Sequence, residues 1–402
     1  MKLRGGASEE WKEEELRHSG HHWRGRRGLV SALLLIPWLL TVAFDLAATG
    51  GGSFAMSEGA GTNVAIGGEE VALLQDRFFS QVRGLPNVNV GVEDLGVSQF
   101  SFRDLTQGGG KGGGVMQFTK NGRLLVKQVS KDDQASLELH AEAYTAHVTA
   151  ERGKGSLLAR IFFYFRRTDG SHYMVMNSWM PNDPVDDLYD LKGCMDDKVV
   201  RSNGASLAQV HKRWYMVHWL VAEASFGCCL PTARTEYYDG KKRARGAVFG
   251  LERHQHDAVQ HAIGEDVTFL KSKELMDYSL ILGVLSKPVG ADGRVPAFPP
   301  GGHPDQPYVV VTGKMAKAYY LGIIDFLQGW TGGKKVAHVI KLLFAPKPIS
   351  TVSPTPYADQ FWAAQKGRFH ALADSQGKPP DRHPVNGPML PPGMPTGYGG
   401  MV

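Results

Sequence analysis

Cysteine is scarce in this chain, with three in 402 residues and two of those adjacent at Cys228 and Cys229. That excludes a disulfide framework and suits a reducing compartment. A strong charge of either sign is missing too. A net charge of +5 with 21% charged residues is too mild to mark a nucleic-acid binder, so no nucleic-acid partner is expected. Long apolar runs are few, and the notable one covers residues 29–44, interrupted by Ser31, Pro37 and Thr41. What the chain has in excess is glycine, 49 residues that cluster, against an apolar content of 42%. The length allows one large domain or two ordinary ones with ample core.

Residues 1–60 read as separate from the rest. An acidic and then arginine-rich opening (Arg24, Arg26, Arg27) leads into the apolar run, which reaches residue 48 if Asp45 is tolerated. About 20 apolar residues span a bilayer, so 29–48 is a candidate membrane anchor with its N-terminus cytoplasmic. A cleaved targeting core and a buried helix are the alternatives. Residues 61–95 read as linker followed by a short amphipathic helix carrying Leu73, Leu74, Phe78, Phe79 and Val82. From residue 366 onward Gly, Pro and Met dominate, a composition that cannot build a core.

Two stretches organise the part between. Residues 275–284 set Asp277 at the mouth of a Leu, Ile and Val run that predicts a buried strand, and residues 319–325 end a similar run on Asp325. A carboxylate at such a boundary is costly to bury unpaired. Two strands bringing both acids together would suit phosphoryl transfer, with one acid receiving the hydroxyl proton and the other holding Mg²⁺. Taken singly, each reads first as an edge-of-strand aspartate capping a turn.

The glycine run at 108–114 surrounds Lys111 and is not a Walker loop, because Gly112 follows the lysine where Ser or Thr is required. It precedes a predicted hairpin, with strands at 115–119 and 124–129 joined by Lys120-Asn121-Gly122-Arg123. Glycine amides can approach phosphate oxygens unobstructed, and Lys127 lies on the return strand. A helix follows, with Ser130 as its cap and Leu137, Ala141, Tyr144 and Val148 on one face. Glu138 or Glu142 is a candidate partner for Lys127, and both read equally as solvated. A second hairpin, 161–165 and 172–177, completes a sheet with one helix, and Met176-Asn177 is the exit from it. His254, His256 and His261 read as the wet side of a helix rather than metal ligands. Lys241-Lys242-Arg243-Ala244-Arg245 reads as a solvated turn.

The joint pattern resembles the phosphatidylinositol phosphate kinases. Tyr189-Asp190-Leu191-Lys192-Gly193, Met276-Asp277-Tyr278-Ser279-Leu280 and Ile323-Ile324-Asp325 stand in the order of that family's hallmark stretches. Val126 to Lys131 is similar to its lysine strand, and Val175-Met176-Asn177 to its hinge. Ile349 to Val352 and Pro356-Tyr357-Ala358 with Phe361 are similar to the segment beyond its activation loop. The resemblance implies a two-lobed, kinase-like α+β fold with antiparallel sheets and flanking helices, its catalytic domain at 96–365. It implies ATP and Mg²⁺ as cofactors and a phosphoinositide in a membrane as substrate. By the same resemblance Lys127 contacts ATP phosphates and Gly109, Gly110, Gly112 and Gly113 cover them, with Met176 and Asn177 at the hinge. Lys192 supports the phosphate region, Asp277 is the catalytic acid and Asp325 the Mg²⁺ ligand. Cys194, Ser178 and Gln360 depart from the pattern, where Ser, Asn and Arg are usual.

Residues 334–343 read as a basic amphipathic segment, with Lys334, His338 and Lys341 gathered on one side, as suits an anionic membrane surface; the pattern alone favours a helix packed on the lobe with an ordinary polar face. In the family it resembles, this is the activation loop, where Glu before His marks the type I 4-phosphate 5-kinases and Ala marks the type II 5-phosphate 4-kinases. Ala337 leans to type II, with Lys334, Lys335 and Lys341 facing substrate and membrane. The resemblance places the domain on the cytosolic face, which conflicts with a single membrane pass at 29–48. The rivals are 5-kinase specificity and a non-catalytic phosphoinositide-binding scaffold; a homodimer stays open.

Overall fold

Short apolar runs broken by glycine turns build the strands of this chain, which pair mainly antiparallel. The computed structural model describes residues 62–86, 88–107, 114–150, 155–207, 232–302, 306–344 and 348–372. The glycine run and the 29–48 segment lie outside them. The chain divides into two units, Met1–Met56 with Thr331–Ala337, and Ser57–Trp330 with His338–Val402. The described part of the first is the opening of one helix, and everything else below belongs to the second.

The elements in chain order are β1 (Asn63–Ile66), β2 (Glu69–Leu73), α1 (Asp76–Arg83), β3 (Thr106–Gln107), β4 (Val115–Phe118), β5 (Leu124–Gln128), α2 (Lys131–Thr149), β6 (Ile161–Arg167) and β7 (His172–Asn177). These strands make a seven-stranded sheet, ordered β1-β2-β6-β7-β5-β4-β3. The β4–β5 hairpin forms as the sequence predicts. Gly122 takes φ 69 in its turn, and Thr119 is buried, its hydroxyl donating to Asn121 Oδ1 at 2.7 Å. In α2 the Ser130 hydroxyl accepts from the Asp133 amide at 3.2 Å, and Leu137, Ala141, Tyr144 and Val148 are all buried. The larger apolar side chains among these, Leu137 and Val148, each contribute roughly 1.5–3 kcal/mol. Residues 63–73, expected as linker, form the outer hairpin of this sheet, and the helix after them is α1, which buries Phe79 and Val82.

The chain continues through β8 (Asp187–Leu191), β9 (Lys198–Ser202), β10 (Ala205–Ser206), α3 (Thr232–Gly246), β11 (Phe249–Leu251), α4 (Arg253–Ser272), β12 (Leu275–Met276), β13 (Ser279–Pro288), β14 (Tyr308–Thr312), β15 (Met315–Ile324), β16 (Gln328–Gly329), α5 (Gly332–Phe344), α6 (Pro354–Arg368) and β17 (Phe369–Ala371). Its six-stranded sheet runs β10-β9-β8-β13-β15-β14, with small sheets β11-β17 and β12-β16 beside it. The result is the two-lobed α+β architecture that the sequence implies. A parallel bridge from Leu158 to Ile323 joins the two sheets, with the Ala159 amide on the Ile323 carbonyl at 2.9 Å. The lysine-rich stretch at 241–245 belongs to α3 and is not a turn. Ala244 is buried, and Lys241 donates to Asp196 and to the Met195 carbonyl. On α4, Val259, Ile263, Val267 and Leu270 are buried, whereas His254 and His261 are exposed, as expected.

Candidate active site

Two ladders bracket the acids. β13 pairs with β15 so that Ser279 faces Ile324, while β12 pairs with β16 so that Met276 faces Gln328. Asp277 occupies the break between β12 and β13, and Asp325 the break between β15 and β16. The strand predicted through 275–284 is therefore interrupted. Both acids adopt left-handed backbone, φ 65 and φ 58, a region that Asp enters more readily than most non-glycine residues. The kinks put both carboxylates at one end of the β13–β15 pair.

Two cations meet them. From β5, Lys127 Nζ donates to Asp325 Oδ1 at 2.5 Å, the side chains being 27% and 51% exposed. Just past β8, Lys192 Nζ donates to Asp277 Oδ1 at 2.6 Å and to the Asp277 backbone carbonyl, with side chains 17% and 19% exposed. Loss of solvent disfavours a charge on Asp325, but the Lys127 ammonium, with Lys192 beyond it, outweighs that loss and holds the carboxyl below its usual range. Burial works against the charge on Lys192, yet the carboxylates of Asp277, Asp190 and Asp325 overcome it and raise its pKa. The four groups thus form one electrostatic cluster of alternating sign. The α2 glutamates take no part in holding Lys127; Glu138 accepts from the Tyr164 hydroxyl at 2.8 Å.

The remaining candidates are placed as follows. Met176 and Asn177 lie at the end of β7 and are buried. Asn177 Oδ1 accepts from the Arg160 amide at 2.7 Å, and its Nδ2 donates to the Gly302 carbonyl at 3.2 Å, so its amide ties strand to loop. Gly109, Gly110, Gly112 and Gly113 lie outside the described residues, as does the side chain of Lys341. Lys335 is exposed, and Lys334 and Ala337 half-buried, in the first turns of α5. His338, expected on the basic face beside Lys334, is half-buried instead. Its Nδ1 lies 2.6 Å from the Thr351 carbonyl, and its ring meets Trp330 edge-on. Among the described residues no group of three His, Cys, Asp or Glu side chains is placed to hold a metal. Mg²⁺ does not require such a cage, because it is usually held by one or two carboxylates together with substrate phosphates and water. Asp325, half-exposed and beside a lysine that can meet phosphate, fits that mode.

Sequence reasoning named Tyr357 of α6 only within a resembling segment and missed what it does. It is fully buried, packs edge-on against Tyr278, and donates its hydroxyl to the Tyr278 carbonyl, which fixes the backbone beside Asp277. Nothing in its spacing announces that bond. A family model described as Phosphatidylinositol-4-phosphate 5-Kinase matches residues 99–297 and 304–366. Among curated proteins the chain is similar to a phosphatidylinositol 5-phosphate 4-kinase type-2 gamma of Danio rerio, 25% identical over 67% of this chain and 71% of that protein. The Xenopus tropicalis protein of the same name is 24% identical over 59% of this chain and 62% of its own length. A phosphatidylinositol 4-phosphate 5-kinase of Plasmodium falciparum is 22% identical over 63% of this chain, which spans 15% of that protein's length.

Proposed function

The chain belongs to the phosphatidylinositol-4-phosphate 5-kinase family, and from that membership we propose that it transfers the γ-phosphate of ATP to the inositol ring of a phosphatidylinositol monophosphate, giving the 4,5-bisphosphate. The observation that carries this reading is the alternating cluster of Lys127, Asp325, Lys192 and Asp277 at one end of β13 and β15. Asp277 orients the inositol hydroxyl and receives its proton, and Lys192 holds that carboxylate by Oδ1. Lys127 meets the phosphates of ATP and offsets charge on the transferring group. Asp325 would hold Mg²⁺, which when bound would neutralise charge on the phosphate oxygens. Met176 and Asn177 stand at the hinge.

The substrate we favour is phosphatidylinositol 5-phosphate, on the strength of Ala337 and of the type-2 names of two relatives. Lys334, Lys335 and Lys341 would then face an anionic membrane surface. The name of the Plasmodium relative favours the 5-kinase reading instead. A labelled-ATP assay on vesicles carrying either monophosphate, with Asp277→Asn as control, decides between them. Transfer to the 5-phosphate lipid alone is the expected result, and transfer to the 4-phosphate lipid alone overturns the preference. Incorporation that persists in Asp277→Asn overturns the assignment of the acid. A wild-type chain that is stabilised by phosphoinositide but not by Mg-ATP is a scaffold.

A further inference from the structure

Asp197 and Arg368 are buried, with side chains 1% and 7% exposed, and their carboxylate and guanidinium are in contact. Asp197 Oδ1 accepts from the Lys192 amide at 2.6 Å and from the Cys194 amide at 3.3 Å. Its other oxygen meets Arg368 Nη2. Arg368 Nη1 in turn donates to the Ala244 carbonyl at 2.5 Å and to the Ala247 carbonyl at 3.4 Å. Between the two amides lies Gly193, at φ 71, where an added Cβ would stand 2.7 Å from the Ala364 Cβ of α6. The turn is therefore pressed against α6 and pinned from inside by one carboxylate. Gln365 of the same helix adds a longer bond, 3.4 Å, to the Leu191 carbonyl. Lys192 leaves this turn with its ammonium on Asp277.

We propose that the Asp197–Arg368 pair is a positioning device for phosphoryl transfer, setting the Lys192 turn so that its ammonium reaches Asp277. The chain of contact runs from the last residue of α6 through Asp197 to the Lys192 backbone, and from Lys192 Nζ to the acid. Neither member touches substrate. The pair rests on the reading of Lys192 and Asp277 given above, and its loss acts on kcat, because it moves a catalytic group without removing any nucleotide or lipid contact.

The test compares Asp197→Asn, Arg368→Lys and wild type in the full chain, with Val259→Ala, at a buried position of α4, as the core control. Asp197→Asn keeps an acceptor for the Lys192 amide but loses the charge that holds Arg368. Transfer is expected to fall about 10- to 100-fold in kcat, with KM for ATP within about twofold of wild type. Arg368→Lys keeps the charge and recovers part of that loss, while Val259→Ala keeps wild-type kcat below its melting temperature. Amide hydrogen exchange at residues 192–194 is expected to quicken in both turn variants and not in Val259→Ala. A kcat loss equal to that of Val259→Ala at matched melting temperature, or a loss confined to KM, overturns the proposal. If Asp197→Asn does not fold, Arg368→Lys carries both readouts. A wild-type chain without transfer sinks the kinase reading, and unchanged exchange at 192–194 in the turn variants then sinks this inference separately.

Discussion

Replacing Asp325 by Asn separates a structural tie from a functional pair. Asn is the appropriate substitute because position 325 is left-handed, and Asn tolerates that region where Ala would add strain. With side chains 27% and 51% exposed, the Lys127–Asp325 pair is screened by solvent and contributes on the order of 0.2–1 kcal/mol. For a domain of this size that corresponds to a fall in Tm of no more than about 2–4 °C. Loss of a carboxylate that holds charge at the transferring phosphoryl group should by contrast lower kcat/KM by about 10²–10³-fold, or about 2.7–4 kcal/mol. The assay is thermal unfolding with and without Mg-ATP, paired with labelled-phosphate transfer to lipid vesicles. Saturation at one hundred times Kd stabilises the wild type by about 2.7 kcal/mol, and most of that gain should vanish in the variant. The pH dependence has a definite sign. Asp325 has a lowered folded pKa, so its contribution is present above the unfolded value of about 3.9 and is lost as pH falls through the lower folded value. The stability gap between wild type and variant should therefore close below about pH 4. A Tm loss above about 10 °C would make the pair structural, and transfer within about tenfold of wild type would refute the role given to Asp325.

Asp266 is fully buried and accepts from the Ser156 hydroxyl at 2.8 Å and the Leu157 amide at 2.7 Å, with His147 Nε2 at 2.7 Å. Asp266→Ala strands all three partners and should cost about 3–5 kcal/mol in urea unfolding, a loss under about 1 kcal/mol being evidence against the network. Burial pushes the Cys194 thiol up to about 12, so an alkylating agent at pH 8 should spare this site in the native state and modify it after unfolding, as mapped by mass spectrometry. Ala337→Glu should shift preference towards the 4-phosphate lipid by about tenfold or more in the ratio of kcat/KM values, and an unchanged ratio would remove that position from substrate choice.

The α2 face, the β4–β5 turn and the dry face of α4 were legible because each depends on residues close together in the chain. The same locality explains the errors. The β1–β2 hairpin is local, but it looked like linker because the strand that fixes it to the sheet, β6, comes far later in the chain, and the basic run at 241–245 looked solvated because Asp196 supplies its counter-charge from another element. Asp277 and Asp325 were conspicuous as carboxylates at the edges of apolar runs, yet the left-handed kinks that turn them to one side come from paired ladders on both flanks.

The order of residues by itself determined which side chains carry charge into apolar surroundings, and hence which were worth suspecting. Tertiary structure alone decided which lysine meets which acid, that Tyr357 holds the Tyr278 carbonyl, and that Asp197 and Arg368 lie beneath the Lys192 turn. The reason is range. Backbone preference and periodicity act over a few residues, whereas Lys127 and Asp325 are separated by 198 positions and Asp197 and Arg368 by 171. Only the packing of two sheets and α6 brings those distances down to a hydrogen bond.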